Sequence, residues 1–397
     1  MRKAGRHFLQ IPGPSAVPDR ILRAISQQTI DHRGPEFGKV GLRALSGIKT
    51  IFKTDEQVFI YPASGTGAWE AALVNVLSPD DRVLMFETGH FATLWKKLAE
   101  RMGLRPEFIS GDWRGGADPD QIEAYLAEDK GHEIKAVCIV HNETSTGSVS
   151  PVAAVRKAID NVGHPALLMV DTISGLAAIN YEHDAWGVDV TVSGSQKGLM
   201  LPPGLSFNAV SAKAMAANKH AKLKRSYWDW ADMVGPNKTG YFPYTPNTNL
   251  LYGLNEAIDM LHEEGLDNVF ARHARHGAAT RAAVRAWGLE VLCANQGQES
   301  DVLTTVMMPE GHSADAFRAT ALEHYDISLG SGLSKVADKV FRIGHLGDFN
   351  DLMLVATLSG VEMGLAKANV PHNAGGVGAA MKTLAEMEQP HVVAASK

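Results

Sequence analysis

From about residue 56 to residue 210 the chain alternates two patterns. Short runs rich in apolar and β-branched residues have the length of strands: Gln57–Pro62, Arg82–Phe86, Pro106–Ser110, Lys135–His141, Ala166–Asp171, Asp189–Ser193 and Leu205–Val210. Several, such as Ala136-Val137-Cys138-Ile139-Val140, are apolar throughout, which is how strands covered on both faces read. Helical spacing fits the stretches between them, Gly67–Leu77, Phe91–Met102, Asp118–Glu128 and Pro151–Val162. Pro119 and Pro151 stand where a first helical turn tolerates proline. Alternating β and α units predict an α/β fold, a mostly parallel seven-stranded sheet flanked by helices.

The pattern changes afterwards. Two helical stretches, Asn249–Glu264 and Leu266–Trp287, lead to strands near Leu289–Leu292 and Val302–Met308. A helix (Ala314–His324), a strand (Val340–Ile343) and a further helix (Asp348–Leu365) complete a smaller α+β region. The expected organisation is an N-terminal segment 1–16, a large domain 17–265 and a small C-terminal domain 266–397, with Leu266–Trp287 able to bridge them. The glycine-rich stretch Gly375–Gly378 follows no strand, so it is not a nucleotide loop.

Composition narrows the function classes. The 397 residues are 45% hydrophobic and 21% charged, ordinary for a soluble enzyme, and the formal net charge of −6 gives nucleic-acid binding no electrostatic support. There is no apolar run of membrane-spanning length and no apolar signal core at the start, so no membrane association and a cytoplasmic location are expected. Cys138 and Cys293 are far apart in apolar runs and read as buried hydrophobes; no metal site or disulfide follows from them.

Five polar segments carry candidate chemistry. Ser193-Gly194-Ser195-Gln196-Lys197-Gly198 follows an apolar strand, at the edge where open α/β sheets place ligands. A desolvated lysine there has a lowered pKa and forms Schiff bases with carbonyls; the plain alternative is a lysine in a surface loop. Asp171 ends the apolar run Leu167-Leu168-Met169-Val170, where an aspartate beside the pyridinium nitrogen of pyridoxal phosphate (PLP) keeps the ring protonated and able to act as an electron sink; otherwise it caps a loop. Ser64-Gly65-Thr66-Gly67 lies between a strand and a helix start, a ready anion site, although serine and glycine often simply begin helices. His141-Asn142-Glu143-Thr144-Ser145-Thr146-Gly147 forms a polar tip that either contacts a ligand or makes a turn. Arg342, flanked by apolar residues, needs a partner: a substrate carboxylate, which its planar fork suits, or a structural ion pair.

In this order the segments resemble class V aminotransferases of PLP fold type I, most closely the serine–glyoxylate and alanine–glyoxylate aminotransferases. The shared stretches include Gly65-Thr66-Gly67-Ala68-Trp69-Glu70, His141–Gly147, Gly194-Ser195-Gln196-Lys197, Tyr244-Thr245-Pro246 and Phe341-Arg342-Ile343-Gly344-His345, and the resemblance starts at Pro12-Gly13-Pro14-Ser15. It implies a Schiff base on Lys197, Asp171 at the pyridinium nitrogen, and the Thr144 hydroxyl at the ring oxygen. It also implies Ser64, Gly65, Thr66 and Gln196 at the phosphate, and Arg342 at the substrate carboxylate. Phe91 matches an aromatic residue that stacks on the ring, with His90 as its neighbour in the register. A tyrosine (Tyr241 or Tyr244, Tyr241 preferred) and Thr245 would close the phosphate site from a second subunit, making an obligate homodimer with shared active sites.

The implied reaction is transamination to glyoxylate, giving glycine and a 2-oxo acid. Serine is the favoured donor and yields hydroxypyruvate. Aspartate would require a second cation, for which Arg33 and Arg225 are available, and alanine is the remaining option. A PLP-dependent lyase or cysteine desulfurase would share Lys197 and Asp171, but Cys293 is poorly placed for a mobile catalytic loop.

Overall fold

The computed structural model describes residues 4–389. A seven-stranded sheet occupies its centre in the spatial order Gln57–Tyr61, Ser206–Val210, Val190–Gly194, Leu167–Asp171, Ile134–Val140, Arg82–Phe86, Arg105–Ile109. Only Ser206–Val210 runs antiparallel to its neighbours. All seven strands agree with the sequence expectation to within a residue or two at their ends. Alternation explains their uninterrupted apolarity. Val137, Ile139, Leu168 and Val170 enter one hydrophobic cluster, while Ala136, Cys138, Leu167 and Met169 enter another on the opposite face.

The first cluster is covered in part by Pro35–Phe52, a helix ahead of the first strand that the pattern did not indicate. Its buried residues Phe37, Ala44, Leu45, Ile48 and Phe52 have helical spacing, but glycines at 38, 41 and 47 depress its intrinsic propensity. Packing against Thr248–Glu264 holds it instead.

A second sheet has the order Phe8–Gln10, Ile327–Ser331, Val340–Gly344, Leu303–Met307, Glu290–Val291. Its core joins Phe341 and Ile343 to Trp287, Phe317, Leu354, Leu358 and Leu365 of the surrounding helices. The helix Leu266–Ala286 lies against Thr248–Glu264 at one side and against this second core at the other. Phe8–Gln10 pairs in parallel with Ile327–Ser331, more than 300 residues later in sequence. The chain then passes through residues 11–15 to the edge of the central sheet, where the Ser15 amide donates to the Gln196 carbonyl. Gly375 begins the helix Gly376–Glu386, so the glycine-rich stretch opens a helix after a turn.

Candidate active site

The carboxyl ends of the parallel strands converge on one cavity of about 250 Å³. Ser64, Gly65 and Thr66 follow Gln57–Tyr61, Phe91 follows Arg82–Phe86, Thr144 follows Ile134–Val140, Asp171 ends its own strand, and Gln196 and Lys197 follow Val190–Gly194; all of them line the cavity. Eight residues expected from sequence thus meet in one place. Phe91, not its neighbour His90, faces the cavity, whereas His90 bonds through Nδ1 to Ser334 Oγ at 2.7 Å.

Lys197 is 8% exposed. Burial, then the nearby Arg342 charge, lowers its amine to about 8, partly opposed by Asp171. Its Nζ donates to the carbonyl of Pro12. Gly13 is therefore confined: at φ +98°, a Cβ there would lie 2.3 Å from Cδ of Lys197. Asp171 is buried, and desolvation pushes its carboxyl up to about 7. The backbone N–H of Ile173 opposes that shift, Glu143 adds to it, and Trp69 and Lys197 oppose it. Asp171 ends one strand and Lys197 follows the neighbouring one, so each charge offsets part of the other's desolvation.

The helix Gly65–Val76 starts at the cavity wall. Its first amides have no carbonyl one turn back, and Ser64 supplies no side-chain cap, which leaves donors for an anion. Gly65 stands in a close approach: a Cβ there would lie 2.2 Å from Cδ1 of Ile173, whose side chain would have to shift. Gln196 Oε1 is buried with no partner among the described residues.

Arg342, 7% exposed, comes from the second sheet. Its Nε donates to the Ser331 carbonyl at 2.8 Å and its Nη1 to the Thr144 carbonyl at 2.8 Å. Burial lowers it to about 10, against the pull of Glu143. No carboxylate is bonded to it in the described chain, so a structural ion pair is not what holds it.

The chain as a whole has relatives among known proteins. Residues 7–346 fit the family model described as aminotransferase class-V. The chain belongs to the class-V aminotransferase family. A serine–glyoxylate aminotransferase from Methylorubrum extorquens is 47% identical over 97% of this chain and 98% of its own. An L-aspartate–glyoxylate aminotransferase from Paracoccus denitrificans is 45% identical over 94% of both. Among solved structures, pyridoxamine–pyruvate aminotransferase from Mesorhizobium loti superposes with a TM-score of 0.91 at 26% identity, covering 97% of this chain and 99% of that one.

Three expected residues of this aminotransferase are not among those lining the cavity of their own chain: Tyr241, Thr245 and Arg342, the last reaching only the carbonyl of the lining residue Thr144. The Tyr241 hydroxyl donates to the Gly34 carbonyl at 3.2 Å, and Thr245 is exposed. Of the two candidate second cations, Arg225 is committed to the carbonyls of Val74, Ala221 and Asn218, and Arg33 is exposed. The structure adds cavity residues that sequence reasoning gave no role: Gly13, Pro14, Trp69, Asn142 and Ser174. The Ser174 hydroxyl joins Thr144 Oγ1 to the Asn142 carbonyl, each at 2.8 Å. Gly13, Pro14 and Trp69 stood inside quoted motifs; nothing in their types signalled contact with Lys197 or Asp171.

Proposed function

We propose that this aminotransferase carries pyridoxal 5′-phosphate on Lys197 and transfers the amino group of a donor amino acid, serine by preference, to glyoxylate. The products are glycine and a 2-oxo acid, hydroxypyruvate when the donor is serine. One observation carries the reading: a buried amine and a buried carboxylate open into a single cavity that also takes in an uncapped helix start.

The donor set suits that cofactor. Asp171 would face the ring nitrogen, Phe91 would offer its ring as a stacking surface, and the Thr144 hydroxyl would meet the ring oxygen. Ser64, Gly65, Thr66 and Gln196 would hold the phosphate. When bound, the cofactor supplies an electron sink for the donor's α-carbon. Lys197 Nζ would hold the cofactor covalently and would move the proton of the donor's α-carbon; an amine near pH 8 is suited to both tasks. Arg342 retains guanidinium donors that have no partner among the described residues and would fix the substrate carboxylate.

Serine is preferred because the chain resembles serine–glyoxylate aminotransferases over nearly its full length. The aspartate alternative has a similar relative, at 45% identity, but Arg225 is occupied and the exposed Arg33 would have to serve another subunit's cavity. Alanine is the third candidate donor. A desulfurase reading lacks a thiol: Cys138 lies buried within a strand, and Cys293 is buried with its thiol bonded to the Asn295 carbonyl.

The proposal includes a cytoplasmic homodimer, with Thr245 and Tyr241 closing the phosphate site of the second subunit; the exposure of Thr245 supports this. It also keeps a division at residues 265/266 between a PLP-binding domain and a small domain. No described helix is long and apolar enough to cross a membrane.

The test is borohydride reduction of the purified protein followed by peptide mapping, then single half-reactions with serine, alanine and aspartate. A pyridoxyl label on Lys197 and the fastest spectral change with serine are expected, with glycine formed on adding glyoxylate. No label at Lys197 overturns the cofactor reading; faster consumption of aspartate overturns only the donor.

A further inference from the structure

We propose that Trp69 is a positioning residue that keeps the Asp171 carboxylate ionised and aimed by donating its indole N–H to it. The inference rests on the PLP reading above and deepens it.

Asp171 closes the strand Leu167–Asp171, and each of its oxygens receives a bond. Trp69 Nε1 donates to Oδ2 at 2.9 Å, and the backbone N–H of Ile173 donates to Oδ1 at 2.7 Å. Both partners can only donate. A carboxylate accepts both bonds in full, whereas a protonated carboxyl must aim its hydrogen where neither partner can accept it. The pair therefore favours the charged form, in opposition to burial. Other groups act on the same carboxyl: Glu143 from the neighbouring tip disfavours the charge, Lys197 favours it, and the Tyr181 phenol feels the Asp171 charge in turn. With its carboxyl near pH 7, Asp171 is balanced closely enough that losing one donor would shift it toward neutral at working pH.

The indole is held by packing. Trp69 is 3% exposed on the helix Gly65–Val76, whose first turn lines the cavity. Its ring lies nearly parallel to that of Trp95, with centroids 5.9 Å apart and 10° between planes. Trp95 belongs to the helix His90–Arg101, which presents Phe91 to the cavity. One side chain thus ties the anion-binding helix, the aromatic wall and the carboxylate together. Trp95 also supplies an internal control. Its own ring nitrogen is buried with no partner among the described residues, so Trp95→Phe removes comparable ring area and none of the described hydrogen bonds.

The experiment compares Trp69→Phe and Trp95→Phe as holoenzymes. For Trp69→Phe, kcat and the affinity for PLP measured by equilibrium dialysis should each fall roughly tenfold or more, the scale of a hydrogen bond to a charged group. Donor KM should stay within about twofold, because the carboxylate clamp at Arg342 is untouched. The pH dependence of the bound cofactor's absorbance should move in Trp69→Phe and stay in place in Trp95→Phe. Equal kinetics and equal pH profiles for the two variants would overturn the proposal, as would a change confined to KM.

A second measurement serves if Trp69→Phe does not fold. Of the seven tryptophans in the apoprotein, one labelled indole N–H signal should titrate near neutral pH and lose that titration in Asp171→Asn. The absence of any such signal sinks the inference. Failure of the wild-type protein to bind PLP would sink the cofactor reading instead, and the apoprotein titration keeps the two failures apart.

Discussion

Arg342 and Thr144 are joined across the two sheets, Nη1 donating to the threonine carbonyl at 2.8 Å. With Nε committed to Ser331, the guanidinium is locked in orientation before any substrate arrives. Arg342→Lys keeps a charge but loses the planar fork. We expect kcat/KM for the donor to fall about 100-fold, mainly through KM, since two directed bonds become one point charge. Steady-state kinetics read this directly, and thermal unfolding of the same variant separates it from loss of the bridge between sheets.

Lys197 gives a stability prediction with a defined sign. Its amine lies near 8 in the folded apoprotein and near 10.5 in an unfolded chain, so between these values the unfolded state binds more protons. The contribution of this lysine to stability therefore rises with pH across that window and is fully unfavourable below pH 8. Lys197→Met apoprotein should unfold at higher denaturant than wild type at pH 7, and the gap should shrink as pH rises toward 10.5. A gap independent of pH would mean that the methionine acts by packing alone.

Gly13 stands against the lysine stem. Gly13→Ala should leave the fold intact, because the strain is confined to one residue at φ +98°, but should displace Lys197. Borohydride labelling at a fixed PLP concentration should drop several-fold, with circular dichroism unchanged. Full labelling at the wild-type rate would show that residues 11–15 move aside freely.

Glu143 is wholly buried and accepts from Ser145 through both its amide and its hydroxyl, and from the amides of Phe91 and Ala92. It thereby anchors the first turn that carries Phe91. Glu143→Ala would strand those donors and should cost about 2–3 kcal/mol of stability in urea unfolding. Glu143→Gln keeps one acceptor oxygen and should lose less. Equal stability of Glu143→Ala and wild type would mean water replaces the carboxylate.

Much of this architecture was legible from residue pattern because it is local. Strands such as Ile134–Val140 are apolar on both faces, and a helix start such as Pro119 has its own chemistry. Lys197, Asp171 and Ser64–Thr66 were legible for a related reason: each is polar at the end of an apolar strand, and a parallel sheet brings such ends to one edge. Phe8–Gln10 and Ile327–Ser331 were not legible, because a short strand is defined by a partner hundreds of residues away.

The sequence by itself determined the alternation of elements, the strand ends that bear chemistry, and through its motifs the family. Only the tertiary structure decided what surrounds each charge. The Pro12 carbonyl on Lys197, the indole of Trp69 on Asp171 and the carbonyl of Thr144 on Arg342 all come from distant elements. Ionisation and orientation of a buried group depend on its nearest dipoles and on exclusion of water. Both arise from packing between segments, and no local residue pattern records them.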